Sequence, residues 1–406
     1  MRWLLPLVLI AAISCSSPGS ASAPSPVGSR SPSASAKLPA SPTPTAAAGG
    51  TAEGTQSSPS PNPTPSPIFS PTLALAVLVD LFAGGNSYNL ALVRVDGKVA
   101  ARASATKRSE IADASALPYV SASKSRVYYL DGDRTVRFLK PDGATGVTTS
   151  VPGGPHVHAT FAVTPDDSRI AVGLLDYSVS PVKLTLYVED LGGAHHAVIF
   201  TSTNHYVWPV AWHAGRLVVA YLGPGATPFK SKSYSYSNRD TTNYPYGPSP
   251  YGGINFHVLN PITAVREAII SGGGASGLLT KAGTAVVQGD ADDWQGHWIN
   301  WSSPHDYGSF SAAGSLSPDG TMIAACCPLP GETGQLVIWY PGDQTRILGV
   351  TVTSIDWVGW LDNSHLVTGF YQSADGTPSV VDMGSNAVTP IDAHGIVAAI
   401  LPGSLD

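Results

Sequence analysis

The 406-residue chain carries a formal net charge of −6, only 12% charged residues, 42 Gly and 35 Pro. It has no run of Lys and Arg, so it lacks the basic stripe that neutralises phosphates, and nucleic acid is not an expected partner. The Gly- and Pro-rich, charge-poor profile excludes a helical protein in favour of short strands joined by tight turns, and three cysteines (Cys15, Cys326 and Cys327) are too few for the disulfide framework of a small secreted domain.

At the N-terminus, Met1-Arg2 gives a short positive start, and Trp3 to Ile13 is apolar apart from Pro6. This run falls well short of the roughly 20 residues that span a bilayer as a helix; it reads as the h-region of a signal peptide. Its end, Ala12-Ile13-Ser14-Cys15, resembles the bacterial lipobox, in which small or aliphatic residues precede a cysteine, although Ala12 stands where Leu is more usual. The resemblance implies that residues 1–15 form a lipoprotein signal and that Cys15 is acylated. The protein is then extracytoplasmic and held to the bacterial cell membrane by its lipid. An ordinary cleaved signal with a chance cysteine is the alternative.

Residues 16–71 are almost entirely Ser, Pro, Thr, Ala and Gly, with Arg30, Lys37 and Glu53 as their charged residues. Too little apolar surface is present to offset the entropy of ordering, so a disordered tether is expected. The alternating prolines from Pro59 to Pro67 favour stiff polyproline II, and at about 3.1 Å per residue the fully extended limit is roughly 170 Å.

Residues 72–406 are expected to form one all-β domain. Val163-Thr164-Pro165-Asp166-Asp167-Ser168-Arg169-Ile170 and Leu316-Ser317-Pro318-Asp319-Gly320-Thr321-Met322-Ile323 share one pattern: an apolar residue, Ser or Thr, Pro-Asp, turn residues, then an apolar strand. Pro fixes φ, Asp accepts backbone N–H groups, and the residue after it tolerates the turn. Fainter copies lead into Val127, Leu217, Ala285 and Leu366. The six strand starts are separated by 43, 47, 68, 38 and 43 residues, close to the blade period of a propeller except where one long insertion intervenes. Hairpin signatures alternate with the copies, the first at Leu92 to Val99, which gives seven blades. Gly395 to Pro402 reads as a final strand able to pair with Leu73 to Val79 and close the ring.

These Ser-Pro-Asp-Gly copies resemble the TolB-like and WD-like propeller repeats of bacterial envelope proteins, although the Gly-His and Trp-Asp pairs of the WD repeat are not repeated here. The resemblance implies a β-propeller of seven four-stranded blades. An irregular pair of β-sandwiches is the alternative.

The insertion, Phe229 to Phe256, holds Tyr234, Tyr236, Tyr244, Tyr246 and Tyr251 among Ser, Asn, Gly and Pro, the composition of adaptable recognition loops. Trp294, Trp298 and Trp301 form an aromatic cluster suited to stacking on sugars or to packing between blades. His156 and His158 would share one face of a strand, and His195-His196 form another pair, but neither has a third ligand at clear spacing. Asp290, Asp292 and Asp293 lack the rest of a calcium loop. Adjacent Cys326 and Cys327 would point to opposite faces of a strand, so two reduced thiols are expected. No G-x-S-x-G elbow occurs, and Ser373 to Thr377 only partly imitates the sialidase repeat. No metal or cofactor is expected. The leading expectation is a monomeric binding module for an envelope protein, peptide or glycan. The alternative is a glycan-acting hydrolase or lyase using carboxylates of the central channel.

Overall fold

A computed structural model describes residues 74–403, apart from positions 82, 116, 224, 230–254, 271–273, 289–294, 302–313, 326–332, 341–343, 354–356 and 370–377. Every regular element among the described residues is a strand, and the strands form seven antiparallel sheets. Blade 1 runs from the inside outward as Ile396–Leu401, Leu75–Asp80, Ser87–Val93 and Val99–Thr106. The inner strands of blades 2 to 7 are Val120–Ala122, Val157–Val163, Val207–His213, Gly274–Thr280, Gly314–Leu316 and Trp357–Trp360. Inner strands meet their neighbours around the ring, except that blade 5 reaches blade 4 through Asn255–Leu259. The fold is a seven-bladed β-propeller. In blade 5 the described residues hold three strands, ending at Gln295–Asn300, and residues 302–313 that follow lie outside the described residues.

Both sides of a blade are covered by neighbouring blades, so the middle strands are apolar on both faces. In blade 3, Arg169–Asp176 reads RIAVGLLD. Ile170 and Val172 enter the cluster shared with Tyr128, Leu130 and Phe161, while Ala171 and Leu175 enter the cluster containing Trp208 and Trp212. Gly173 is required by this closeness, because a Cβ there would lie 2.9 Å from Pro209 Cδ.

The repeated turn works as its residue types demand. Ser317 Oγ accepts the N–H groups of Thr321 (3.1 Å) and Met322 (3.0 Å), while Asp319 Oδ1 accepts that of Thr321 at 3.0 Å. Thr164 Oγ1 does the same for Ser168 (3.1 Å) and Arg169 (2.9 Å), and Asp166 Oδ1 for Ser168 (3.1 Å). Asp167 and Gly320 take the left-handed position, with φ of 62° and 74°. In the fainter copy of blade 2, Ser123 Oγ caps Ser125 and Arg126, each at 3.2 Å.

Two indoles fasten neighbouring blades at equivalent positions. Trp212 Nε1 donates to Ala162 O of blade 3 at 3.0 Å, and Trp360 Nε1 to Ser315 O of blade 6 at 2.7 Å. Both indoles are buried, so removing either acceptor would strand a donor at a cost of about 1–3 kcal/mol.

The C-terminal strand closes the ring. Leu75, Ala76 and Val77 pair with Leu401, Ile400 and Ala399; after a bulge, Leu78 and Val79 pair with Val397 and Ile396. The inner strands run in one sense, so the turns from first to second and from third to fourth strands lie on one face of the disc, the turn face. Connections from second to third strands, and from blade to blade, lie on the opposite connection face.

Candidate functional site

The connection between blades 1 and 2 crosses the connection face, and Arg108 pins it down. Its guanidinium is buried. Nη1 donates to Ala159 O at 3.0 Å, and Nη2 donates to Leu117 O at 2.7 Å and Pro118 O at 3.0 Å. The group lies 4.0 Å from the centre of the Tyr119 ring, a cation–π arrangement. Tyr119 leans on Tyr88 with ring centres 4.9 Å apart, and the Tyr88 hydroxyl donates to Leu130 O.

Ser109 gives its backbone N–H (2.6 Å) and its hydroxyl (2.7 Å) to the two oxygens of Asp133. Its carbonyl is 2.9 Å from His158 Nε2. A carbonyl only accepts, so Nε2 carries the proton and Nδ1 is a bare acceptor. Nδ1 is buried without a hydrogen-bond partner. Burial, then the nearby Arg108 charge, lowers the imidazole pKa to about 4, so His158 is neutral at ordinary pH.

The root of the Tyr-rich insertion is built onto this group. The insertion leaves blade 4 after Arg216–Tyr221 and returns at Asn255–Leu259. Before leaving the described residues it crosses to the neighbouring blades. Pro228 O accepts Ser115 N–H at 3.1 Å and the Tyr177 hydroxyl at 3.0 Å. Phe229 bridges to Ala114, and its ring meets Tyr177 edge-on at 5.4 Å; Tyr177 meets His158 at the same distance. Residues far apart in sequence thus converge on one patch, and the sequence reading missed Arg108, Tyr119 and Tyr177 because no local motif announces a contact made only by ring closure.

Tyr234, Tyr236, Tyr244, Tyr246 and Tyr251 lie outside the described residues, as do Cys15, Trp294, Cys326, Cys327, Asp290, Asp292, Asp293 and Ser373 to Thr377. Trp298 sits in Gln295–Asn300, paired with Ala285. Trp301 lies at the turn face: its ring stacks on His213 at 4.3 Å and 16°, and Nε1 donates to Thr280 O at 2.9 Å. Trp301 and the root of the Tyr-rich insertion therefore occupy opposite ends of the disc.

The paired-histidine reading changes. His156 is exposed and precedes the strand Val157–Val163, whereas His158 is buried within it. The local Gly154–Val157 bridge takes up the stretch that would have placed the two on one face. His195 and His196 turn to separate carboxylates, Asp190 at 2.5 Å and Glu189 at 2.8 Å. Among the described residues no three His, Cys, Asp or Glu groups are placed to hold a metal ion, and no helix is long and apolar enough to cross a membrane.

At the turn face the channel widens into a cavity of about 340 Å³. It is lined by the ends of the inner strands, with Val120, Val163, Val210, Leu278, Trp360 and Ile400 among its walls. Its charged lining residues are Lys281 and Asp362. The Asp362 carboxylate is spent on its own turn, Oδ1 accepting Ser364 N–H at 2.7 Å and His365 N–H at 2.8 Å, with His365 Nδ1 at 2.9 Å.

No family model matches the chain, and no curated protein does. Solved propeller structures do match. TolB from Acinetobacter baumannii is 12% identical over 82% of this chain and 65% of its own length, just under two thirds, with a TM-score of 0.34. An oligogalacturonate lyase from Vibrio parahaemolyticus is 10% identical over 75% and 90% of the two chains, with a TM-score of 0.46. The β-propeller domain of the trilobed protease from Pyrococcus furiosus is 11% identical over 78% and 84%, with a TM-score of 0.38. Likenesses this distant concern the fold and carry no ligand or reaction to this chain.

Proposed function

We propose that the protein is an extracytoplasmic binding module, held to the bacterial membrane through a lipid on Cys15, whose propeller presents the Tyr-rich insertion to an envelope protein, peptide or glycan. The observation that carries this reading is the fixed root of the insertion. Pro228 and Phe229 are clamped by Ser115, Ala114 and Tyr177, so the segment that follows starts from a rigid platform. Adaptable loops on rigid scaffolds are the usual carriers of recognition. A glycan-acting hydrolase or lyase needs two carboxylates facing a cleft. The turn-face cavity is lined by one carboxylate, Asp362, where the chemistry needs two, and no observation among the described residues favours that reading.

The test uses the full chain carrying Cys15→Ala, which removes the anchor, and the same chain with residues 231–252 replaced by a short Gly-Ser bridge. Sedimentation with isolated bacterial envelopes should fall about tenfold on deletion, a loss of about 1.4 kcal/mol. Protease treatment of the envelopes separates a protein partner from a glycan. Equal sedimentation of the two chains would refute the proposal.

A further inference from the structure

We propose that the turn-face end of the channel is a second site, distinct from the Tyr-rich insertion, that binds a soluble amphiphilic anion: one apolar body in the cavity and one carboxylate-like head at Lys281. The site is independent of the function proposed above, since the two lie at opposite ends of the disc.

The cavity is suited to an apolar occupant. At about 340 Å³ it falls in the range of small-molecule pockets, about 300–1,000 Å³. Its walls are mainly aliphatic side chains and two tryptophans, Trp212 and Trp360. The polar groups on the lining are already engaged. Both indole N–H groups are given to backbone carbonyls. Ser121 Oγ accepts Val163 N–H at 3.0 Å, Thr280 Oγ1 accepts Ala282 N–H at 3.2 Å, and Asn363 Oδ1 accepts Asp319 N–H at 3.2 Å. Water in such a space finds few partners, so an apolar body displaces it at little cost.

Charge selects the head group. Of the two charged lining residues, Asp362 faces its own turn and has His365 Nδ1 2.9 Å from both its oxygens, whereas Lys281 is exposed and makes no ion pair or hydrogen bond among the described residues. It sits in the turn that follows Gly274–Thr280, the inner strand of blade 5. An ammonium at the edge of an apolar space meets an anion whose tail enters that space. A cationic head would find Asp362 already occupied, and a neutral ligand would leave Lys281 unused. Hydrogen bonds to charged groups are stronger than neutral ones, so loss of the ammonium should weaken an anionic ligand by at least roughly tenfold.

The probe is decanoate, titrated into the full chain carrying Cys15→Ala and followed by tryptophan fluorescence and calorimetry. One saturable site is expected, tighter than about 1 mM. Lys281→Gln should weaken decanoate at least roughly tenfold while leaving 1-decanol unchanged. Ala211→Phe, which fills the cavity from its wall, should remove binding of both. Absence of saturation in the parent chain overturns the proposal, as does a Lys281→Gln variant that binds decanoate equally well. Retained binding in a folded Ala211→Phe variant also overturns it. If circular dichroism shows that Ala211→Phe does not fold, the Lys281 comparison decides alone. Lys281-dependent pelleting with phosphatidylglycerol vesicles, without saturable decanoate binding, would assign the cation to a lipid surface and overturn the cavity site.

Discussion

His158 joins several of the structural themes at a single residue. Its neutral ring holds Ser109 through Nε2 and supports Tyr177, which in turn clamps Pro228. Among the described residues His257 is also buried; burial, then the Arg266 charge, lowers its pKa to about 4. Both values lie below the ordinary histidine pKa of about 6.5. The unfolded chain therefore binds more protons than the folded one between these limits. The stability that follows from neutral histidines is complete above about pH 6.5 and is lost as pH falls toward 4. At pH 5 the loss is at most about 2 kcal/mol for each residue. Urea midpoints measured from pH 7 to 5 should fall accordingly, and His158→Gln should flatten part of that slope. A midpoint independent of pH would contradict the buried neutral state. The sequence could name His158, but its partnership with Ser109 and Tyr177 depends on blades meeting across the ring. The proposed pairing with His156 failed because strand geometry begins one residue too late to include it.

Among the elements, the repeated turn was the most legible feature. A Ser or Thr, a Pro and an Asp in fixed order write a local hydrogen-bond pattern into the chain, and Ser317, Asp319, Thr164 and Asp166 form it as their chemistry requires. The closing strand was legible too, as an apolar run matched by the apolar first strand with which it pairs. Its hinge is Gly395. With φ at 126°, a Cβ there would lie 2.6 Å from the backbone of Val79. Gly395→Ala meets both backbone strain and a clash with rigid main chain, so a destabilisation of about 2–4 kcal/mol is expected. Thermal unfolding of the full chain checks it, and a melting temperature within a degree or so of the parent would argue against the strained closure. The cavity had no signature in the sequence, because it arises where seven inner strands end together rather than from any one of them.

For the molecule as a whole, the sequence sets a Ser- and Pro-rich stretch before a repeat domain. Membrane attachment is the claim at this scale that a single substitution tests. Cys15→Ala removes the sulfur proposed to carry the lipid and should shift the protein from the membrane fraction to the soluble fraction after cell fractionation. Continued membrane retention would count against the lipobox. The Tyr-rich insertion is visible in the sequence as a composition only, and its tyrosines lie outside the described residues. The structure adds where the root of the insertion is fastened and places Trp301 at the opposite face.

Ring closure also has a consequence in time. The strand Leu75–Asp80 is made early and its partner Ile396–Leu401 almost last. Until that partner arrives, blade 1 lacks its inner strand and the circle stands open. Contacts between such distant parts of a chain form slowly, because a very long loop must close before they yield any gain. The two ends of the repeat domain are thereby coupled: its final stability is gained only when Ile396–Leu401 docks against Leu75–Asp80.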